Sequence, residues 1–381
     1  MQLVILVISI VLFVEYALMI IYYRQSWMAI PDFNYSVSDF IPSTTITIII
    51  PARNEEKNIK ACLNSIIQQT YPAHLFEIIV VDDHSEDKTA ELVLSYTLDN
   101  IQLISLKDFT GGNVLNSYKK KAIETAIQQS TGDLIVTTDA DCIVKKNWLL
   151  TIAAFYEKNN PAFIVMPVLY KHKKNFLEVF QTLDFMILQG ITGAAVHKKN
   201  LSMCNGANLA YTKSAFYAVE GFKNIDAIAS GDDMLLMHKI FKLYPNDVKF
   251  LKSEDIVVQT KPMETIKAFF NQRIRWASKA DKYDDKRIFS VLLLVYFFNA
   301  WFIFLGITTL FYSQLVYCLI FLLASKTIIE LFFLFPIAVF FSSKKLLWWF
   351  PLAQPFHILY TIIAGWLGKF GRYKWKGRAI K

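Results

Sequence analysis

A chain of 381 residues has room for one large or two modest folded units, and its composition, 54% hydrophobic and 15% aromatic, is more apolar than that of soluble domains. Its net charge of +8 gathers beside apolar runs, with six basic residues and no acid between Lys369 and Lys381, which points to a membrane surface ahead of nucleic acid. Cys62, Cys142, Cys204 and Cys318 stand far apart, with no C-x-x-C pair, and His74, His84 and His197 show no ligand spacing, which argues against a disulfide framework or a zinc site. In chain order, residues 3–23 are apolar apart from Glu15 and are about long enough to span a bilayer. A basic start and a small-residue cleavage site are both lacking, so residues 1–24 read as a retained anchor. Arg24 follows directly and places the soluble part in the cytoplasm by the positive-inside rule.

Residues 41–261 read as an ordinary soluble α/β domain. Residues 45–50, 77–81, 101–106 and 134–138 are short β-branched or aliphatic runs expected as strands, the first ended by Pro51. Helical spacing over 55–69, 87–98 and 119–129 alternates with them, which predicts a mostly parallel sheet flanked by helices. Such sheets bind ligands beyond the carboxyl ends of their strands, where Asp82, Asp83, Asp139 and Asp141 collect. Gly111-Gly112 has neither P-loop nor G-x-G-x-x-G spacing, so kinase-like and dinucleotide-binding readings lose their main support.

Residues 262–287 carry an apolar stripe of Ile266, Phe269, Phe270, Ile274 and Ala277, the pattern of an amphipathic helix lying at a membrane surface. Residues 288–368 are expected to hold the remaining membrane segments, at about 289–312, 315–341 and 346–368. Lys326 and Glu330 lie inside the second at helical pairing distance, and Pro351 and Pro355 break the third. Three full spans would put the basic tail, 369–381, outside, against the positive-inside rule. Either 346–368 is re-entrant or interfacial, or the tail is an exception.

Asp139-Ala140-Asp141 follows an apolar strand. Two carboxylates one residue apart can approach a single Mg²⁺ or Mn²⁺, whose shell phosphate oxygens complete. Ser230-Gly231-Asp232-Asp233 is a second acidic group, suited to deprotonating a hydroxyl or simply to capping the helix expected over 234–243. Gln272-Arg273-Ile274-Arg275-Trp276 offers a guanidinium for a diphosphate and a ring face for a sugar, or serves only as a membrane anchor.

Taken together, Pro51-Ala-Arg-Asn-Glu55, Val81-Asp-Asp-His-Ser85, Lys119-Lys120, Asp139-Ala-Asp141, Asn205-Gly-Ala-Asn-Leu-Ala-Tyr211, Gly231-Asp-Asp233 and Gln272-x-x-Arg275-Trp276 resemble glycosyltransferase family 2, in that family's order. The terminal apolar segments resemble those of its membrane-bound members. The resemblance implies a GT-A fold with added transmembrane helices and an inverting single displacement. It implies that Asp82 or Asp83 contacts the nucleotide base, with Arg53 and Glu55 in the same pocket and Lys119 and Lys120 among the donor contacts. It further implies that Asp139 and Asp141 address diphosphate and a divalent metal, and that Asp233 is the general base with Asp232 beside it. Gln272, Arg275 and Trp276 would close the site, and Asn205, Gly206 and Asn208 would form its acceptor side. This chain has Asp232-Asp233 where the family often has Glu-Asp, and Tyr118 where a glycine usually precedes the lysine pair.

The expected activity is transfer of a sugar from a nucleotide sugar, UDP-linked by family analogy, to a membrane lipid or lipid-linked acceptor. A processive polysaccharide synthase shares Gln272-x-x-Arg275-Trp276 but needs a polar path through a sizeable helix bundle. A transporter or scaffold would use the intramembrane Glu15, Lys326, Glu330 and His357 but leaves the acidic strand ends unexplained.

Overall fold

The computed structural model describes residues 2–35, 40–110, 115–171, 175–201, 203–228, 231–278, 286–370, 373–375 and 378–380, with side chains up to residue 370 except that of Lys286. Gly111-Gly112, Ser230 and several residues of the basic tail lie outside these. The chain divides into two compact units. The first comprises Met1–Ala29, His172–Ile191 and Pro262–Lys381; the second comprises Ile30–Lys171 and Thr192–Lys261.

The second unit is built on a seven-stranded sheet. Its strands are β1 (Ile46–Ala52), β2 (Phe76–Asp82), β3 (Ile101–Ser105), β4 (Leu134–Thr137), β5 (Phe163–Val165), β7 (Leu209–Thr212) and β8 (Val248–Phe250), in the order β3-β2-β1-β4-β7-β5-β8. Strand β7 alone runs antiparallel to its neighbours β4 and β5. A small parallel pair, β6 (Val168–Tyr170) with β9 (Val258–Thr260), completes the unit's strands. The helices of this unit are α2 (Ile59–Ile67), α3 (Thr89–Leu94), α4 (Lys107–Thr110), α5 (Tyr118–Gln129), α6 (Trp148–Asn159), α8 (Lys213–Ala218) and α9 (Met234–Leu243). Every residue of β1 except Pro51 is buried, as a parallel strand covered on both faces requires.

Pro51 does not end β1. Ile49 faces β4, accepting a hydrogen bond from Thr138 N at 3.2 Å, and Pro51, two residues on, faces the same way. Pairing with β4 has stopped at Thr137, opposite Ile49, so the missing proline N–H falls where no partner waits.

The first unit is helical: α1 (Gln2–Met28), α7 (Phe176–His197, divided between the units at Ile191), α10 (Ile266–Ala277), α11 (Lys286–Thr309), α12 (Leu315–Phe340) and α13 (Phe350–Phe370), then a hairpin of β10 (Tyr373–Trp375) and β11 (Arg378–Ile380). Five of the described helices, α1, α7, α11, α12 and the 344–370 stretch, are long and apolar enough to cross a membrane.

Two expectations change here. The prolines of 346–368 do not break it: Pro351 falls in the first turn of α13, where its lacking N–H is harmless, and Pro355 is carried inside one continuous helix. The stripe on α10 does not face outward as a unit. Phe269 and Ile274 are buried with Phe180, Ala353, Tyr360 and Ala364, whereas Ile266 is 57% exposed. Lys326 and Glu330 do pair, at 2.7 Å, and are joined by Gln354 and Tyr16 from α13 and α1.

Candidate active site

The sheet brings the acids together. β1 lies between β2 and β4 and is parallel to both, with Ala52 level with Asp82 and Ile49 level with Thr137. Asp82 therefore ends β2 at the same edge from which Asp139 and Asp141 emerge two and four residues beyond β4. β7 enters antiparallel, pairing Leu209 with Thr137, which carries the preceding Asn205–Asn208 turn back to that edge. Thr137 Oγ1 fastens the turn by donating to Gly206 O at 2.9 Å.

Asp82 and Asp83 have different duties. Asp83 is buried and occupied: Arg53 Nη1 donates to its backbone O at 3.0 Å, and its Oδ1 lies 3.1 Å from His84 Nδ1 and 3.9 Å from Arg53 Nη1. Asp82 accepts from Ser85 N through Oδ2 at 3.3 Å, while its buried Oδ1 has no hydrogen-bond partner among the described residues. A buried acceptor left unmatched costs roughly 1–3 kcal/mol, which a donor group on a ligand would recover. Around it the 52–56 and 83–89 loops are knitted together. Asn54 N donates to Ser85 Oγ, Glu86 N to Asn54 Oδ1, and Glu55 N to Thr89 Oγ1. The Glu55 carboxylate receives Asn58 Nδ2 at 2.7 Å.

Lys119, near the start of α5, stands between the two acidic groups. Its Nζ is 2.7 Å from Asp139 Oδ1 and 3.3 Å from Asp232 Oδ2. Burial alone would lower its pKa, but Asp139 and Asp232 outweigh burial and hold the ammonium above its ordinary range. Asp233 caps α9: Oδ1 accepts from Met234 N at 2.7 Å, and Oδ2 accepts from Gly206 N at 3.1 Å. The helix-capping role foreseen for this acidic pair is thus real and belongs to Asp233. Gly206 is confined, since a Cβ there would sit 3.2 Å from both Asp232 Oδ2 and Lys119 Nζ. Asp141 Oδ2 accepts from Thr260 Oγ1 at 3.2 Å.

Two residues expected at the site are used elsewhere. Lys120 points into the protein, where Nζ donates to the carbonyls of Ile225 and Ile228 at 2.6 Å each, so its charge is committed to a loop. Asn208 is fully buried: Nδ2 donates to Pro167 O and Ile256 O, and Oδ1 accepts from Trp148 Nε1. With three bonds made inside the core it has no acceptor-side face, unlike Asn205, whose Oδ1 accepts from Ala207 N within its own turn. Thr260 was not foreseen; it reaches Asp141 through the β-bridge between Ile143 and Gln259, a pairing 116 residues apart that no local pattern announces. Gln272, Arg275 and Trp276 sit on α10, in the helical unit, all partly exposed.

The donor set fits a hard divalent cation in part. Among the described residues no three His, Cys, Asp or Glu side chains converge on one point. Asp139 and Asp141 provide oxygens from two residues, of the kind Mg²⁺ and Mn²⁺ accept, so phosphate or water oxygens would have to complete the shell.

Residues 134–367 match the profile described as glycosyl transferase family group 2, and residues 47–219 that of glycosyl transferase family 2. The chain is 26% identical over 275 residues to the probable glycosyltransferase YdaM of Bacillus subtilis, covering 68% of this chain and 63% of that protein. It is 24% identical over 246 residues to the poly-β-1,6-N-acetyl-D-glucosamine synthase of Staphylococcus epidermidis, covering 61% and 53%. The chain thus spans less than two thirds of the length of these curated relatives. Among solved structures, the mannosyltransferase PcManGT from Pyrobaculum calidifontis, in complex with GDP-Man and Mn²⁺, aligns at a TM-score of 0.55 and 17% identity over 93% of this chain and 99% of that one, which shows a shared fold.

Proposed function

The chain belongs to glycosyl transferase family group 2, and on that premise we propose that it is an inverting glycosyltransferase moving a sugar from a UDP-linked donor to a membrane lipid or lipid-linked acceptor. The observation that carries the reading is the gathering of Asp139 and Asp232 about the Lys119 ammonium at the carboxyl edge of the sheet. Residues 41–261 hold the chemistry on the cytoplasmic side, and residues 1–24 and 288–368 hold the membrane.

In this reading the unmatched oxygen of Asp82 accepts an N–H from the nucleotide base, with Asp83 keeping Arg53 in place. Glu55 shapes the same pocket through its loop. Asp139 and Asp141 would hold a divalent metal, which would supply positive charge to the leaving diphosphate. Lys119 adds its own charge at Asp139. The acceptor hydroxyl gives its proton to an Asp233 carboxylate oxygen, its oxygen bonds to the anomeric carbon, and the bond from that carbon to the diphosphate breaks. Asp232 and Lys119 bound this space with Gly206 and Asn205, and Gln272, Arg275 and Trp276 steady the leaving diphosphate and the sugar. Lys120 and Asn208 take no part.

The test incubates the full chain in detergent with Mg²⁺ or Mn²⁺, a panel of UDP- and GDP-sugars and a lipid extract, and reads products by mass spectrometry. A lipid bearing one added sugar is expected. Asp233→Asn should lower turnover by about 10²–10⁴-fold while the chain stays folded, because asparagine caps helices as well as aspartate does. An unchanged rate would remove Asp233 from the base role. The similarity to a polysaccharide synthase favours a second reading, processive polymer synthesis, and polymer as the sole product would establish it.

A further inference from the structure

We propose that Asp184, on α7, is a positioning residue for the Gln272-x-x-Arg275-Trp276 stretch, acting through Arg273. The inference rests on the reading of Gln272 and Trp276 as site residues. Arg273 and Asp184 form an ion pair at 2.7 Å, and both side chains are 4% exposed. The carboxylate is itself held: Tyr360 OH donates to its Oδ1 at 2.5 Å, and His357 Nε2 lies 3.9 Å from the same oxygen, both from α13.

The other side of the guanidinium is turned to the motif. Arg273 Nη1 donates to Gln272 Oε1 at 3.1 Å. Its central carbon lies 4.3 Å from the centroid of the Trp276 ring and 4.9 Å from that of Phe269. Trp276 also meets Phe185, the residue after Asp184, with ring centroids 6.1 Å apart. Asp184 and Phe185 together thus set the guanidinium and the indole that it stacks on.

Adhesion alone does not account for the pair. The same helices already share the apolar cluster of Phe180, Phe269, Ile274, Ala353, Tyr360 and Ala364. A buried ion pair adds little net stability over apolar side chains of similar volume. What a planar guanidinium adds is direction, with one N–H fixed on an amide oxygen and one face fixed on a ring.

The experiment is a mutant cycle on the full chain, reading kcat and KM per folded molecule with the donor and acceptor found above. Asp184→Asn should lower kcat by roughly ten- to a hundredfold, as displacement of a site group does, with KM for the donor little changed. Asp184→Glu should recover part of it, and Arg273→Lys, which keeps the charge but loses the plane, should not match the wild type. In a Gln272→Ala, Trp276→Ala background, Asp184→Asn should cost nothing further. An equal fold-loss in both backgrounds, or an unchanged kcat, would overturn the proposal and leave a structural pair. Full activity of the Gln272→Ala, Trp276→Ala chain would overturn the site reading beneath it. Where Asp184→Asn does not fold, Asp184→Glu runs the same cycle.

Discussion

Two lysine–carboxylate pairs in this chain have the same length and opposite characters. Lys119 and Asp139 meet at 2.7 Å, as do Lys326 and Glu330. The first pair is open, with side chains 21% and 38% exposed, and its single ammonium also serves Asp232, at 3.3 Å. The second is closed, at 0% and 5%, and balanced one to one. Its remaining polar atoms are taken up by Tyr16 OH on Glu330 and by Gln354, which accepts from Lys326 and donates to Glu330 at 2.5 Å. Unbalanced charge within reach of solvent is suited to receiving a ligand. Balanced charge sealed away from solvent is suited to joining helices α1, α12 and α13.

The largest test of this contrast is Lys326→Met. It strands Glu330 in the interior and should destabilise the full chain in detergent by about 3–5 kcal/mol, with turnover per folded molecule unchanged. Adding Glu330→Gln should restore most of the loss. Reduced turnover at full stability would instead make this pair part of the chemistry. Gly206→Ala probes the open cluster. Its Cβ would stand 3.2 Å from both Asp232 Oδ2 and Lys119 Nζ, so these flexible ends must shift by a few tenths of an ångström. The expected loss in kcat/KM is roughly tenfold, about 1.4 kcal/mol, with the melting temperature hardly moved; a large fall in melting temperature at normal activity would make Gly206 a folding glycine only.

The smallest effect comes from a carboxylate that belongs to neither pair. Burial would raise the Glu157 pKa, but the backbone N–H groups of Ser43 and Thr44, at 2.9 and 3.0 Å, and the Thr44 hydroxyl at 2.7 Å outweigh it and hold it below its ordinary value of 4.5. Its contribution is present above pH 4.5 and is lost as pH falls through the depressed value. Glu157→Gln should therefore make unfolding slightly less dependent on pH below 4.5 and leave pH 7 activity alone. Equal acid sensitivity in the two chains would contradict this.

The strand-and-helix alternation up to Thr138 is legible in the sequence because each element carries its own period, and the acids stand out because they follow strands directly. The Lys326–Glu330 pair is legible for a similar reason, lying one helical turn apart. What was not legible depends on partners distant in sequence. Nothing local separates Lys119 from Lys120, yet the rotation of a single residue step about the helix axis sends one to Asp139 and the other to the carbonyls of Ile225 and Ile228. Asn208 looks like its neighbour Asn205 until Trp148, Pro167 and Ile256 close around it. The apolar run of α7 does not stand out in the sequence, because Glu178, Gln181, Asp184 and Gln189 interrupt it, and those side chains are buried. Nothing local marks Arg273 as buried, since its partner lies 89 residues earlier.

The closed pair also carries a timetable. Tyr16 and Glu330 are 314 residues apart, so at ribosomal speeds of roughly 5–20 residues per second the Tyr16 hydroxyl exists for about 15 to 60 seconds before the carboxylate that receives it has been made. Lys326 and Glu330 emerge within a second of each other and can neutralise one another on their own helix. The helical unit is therefore closed by helices made late relative to α1 and α7: α12 arrives with its charges already matched, and α13 then brings Gln354 to the network and Tyr360 to Asp184, made 176 residues earlier.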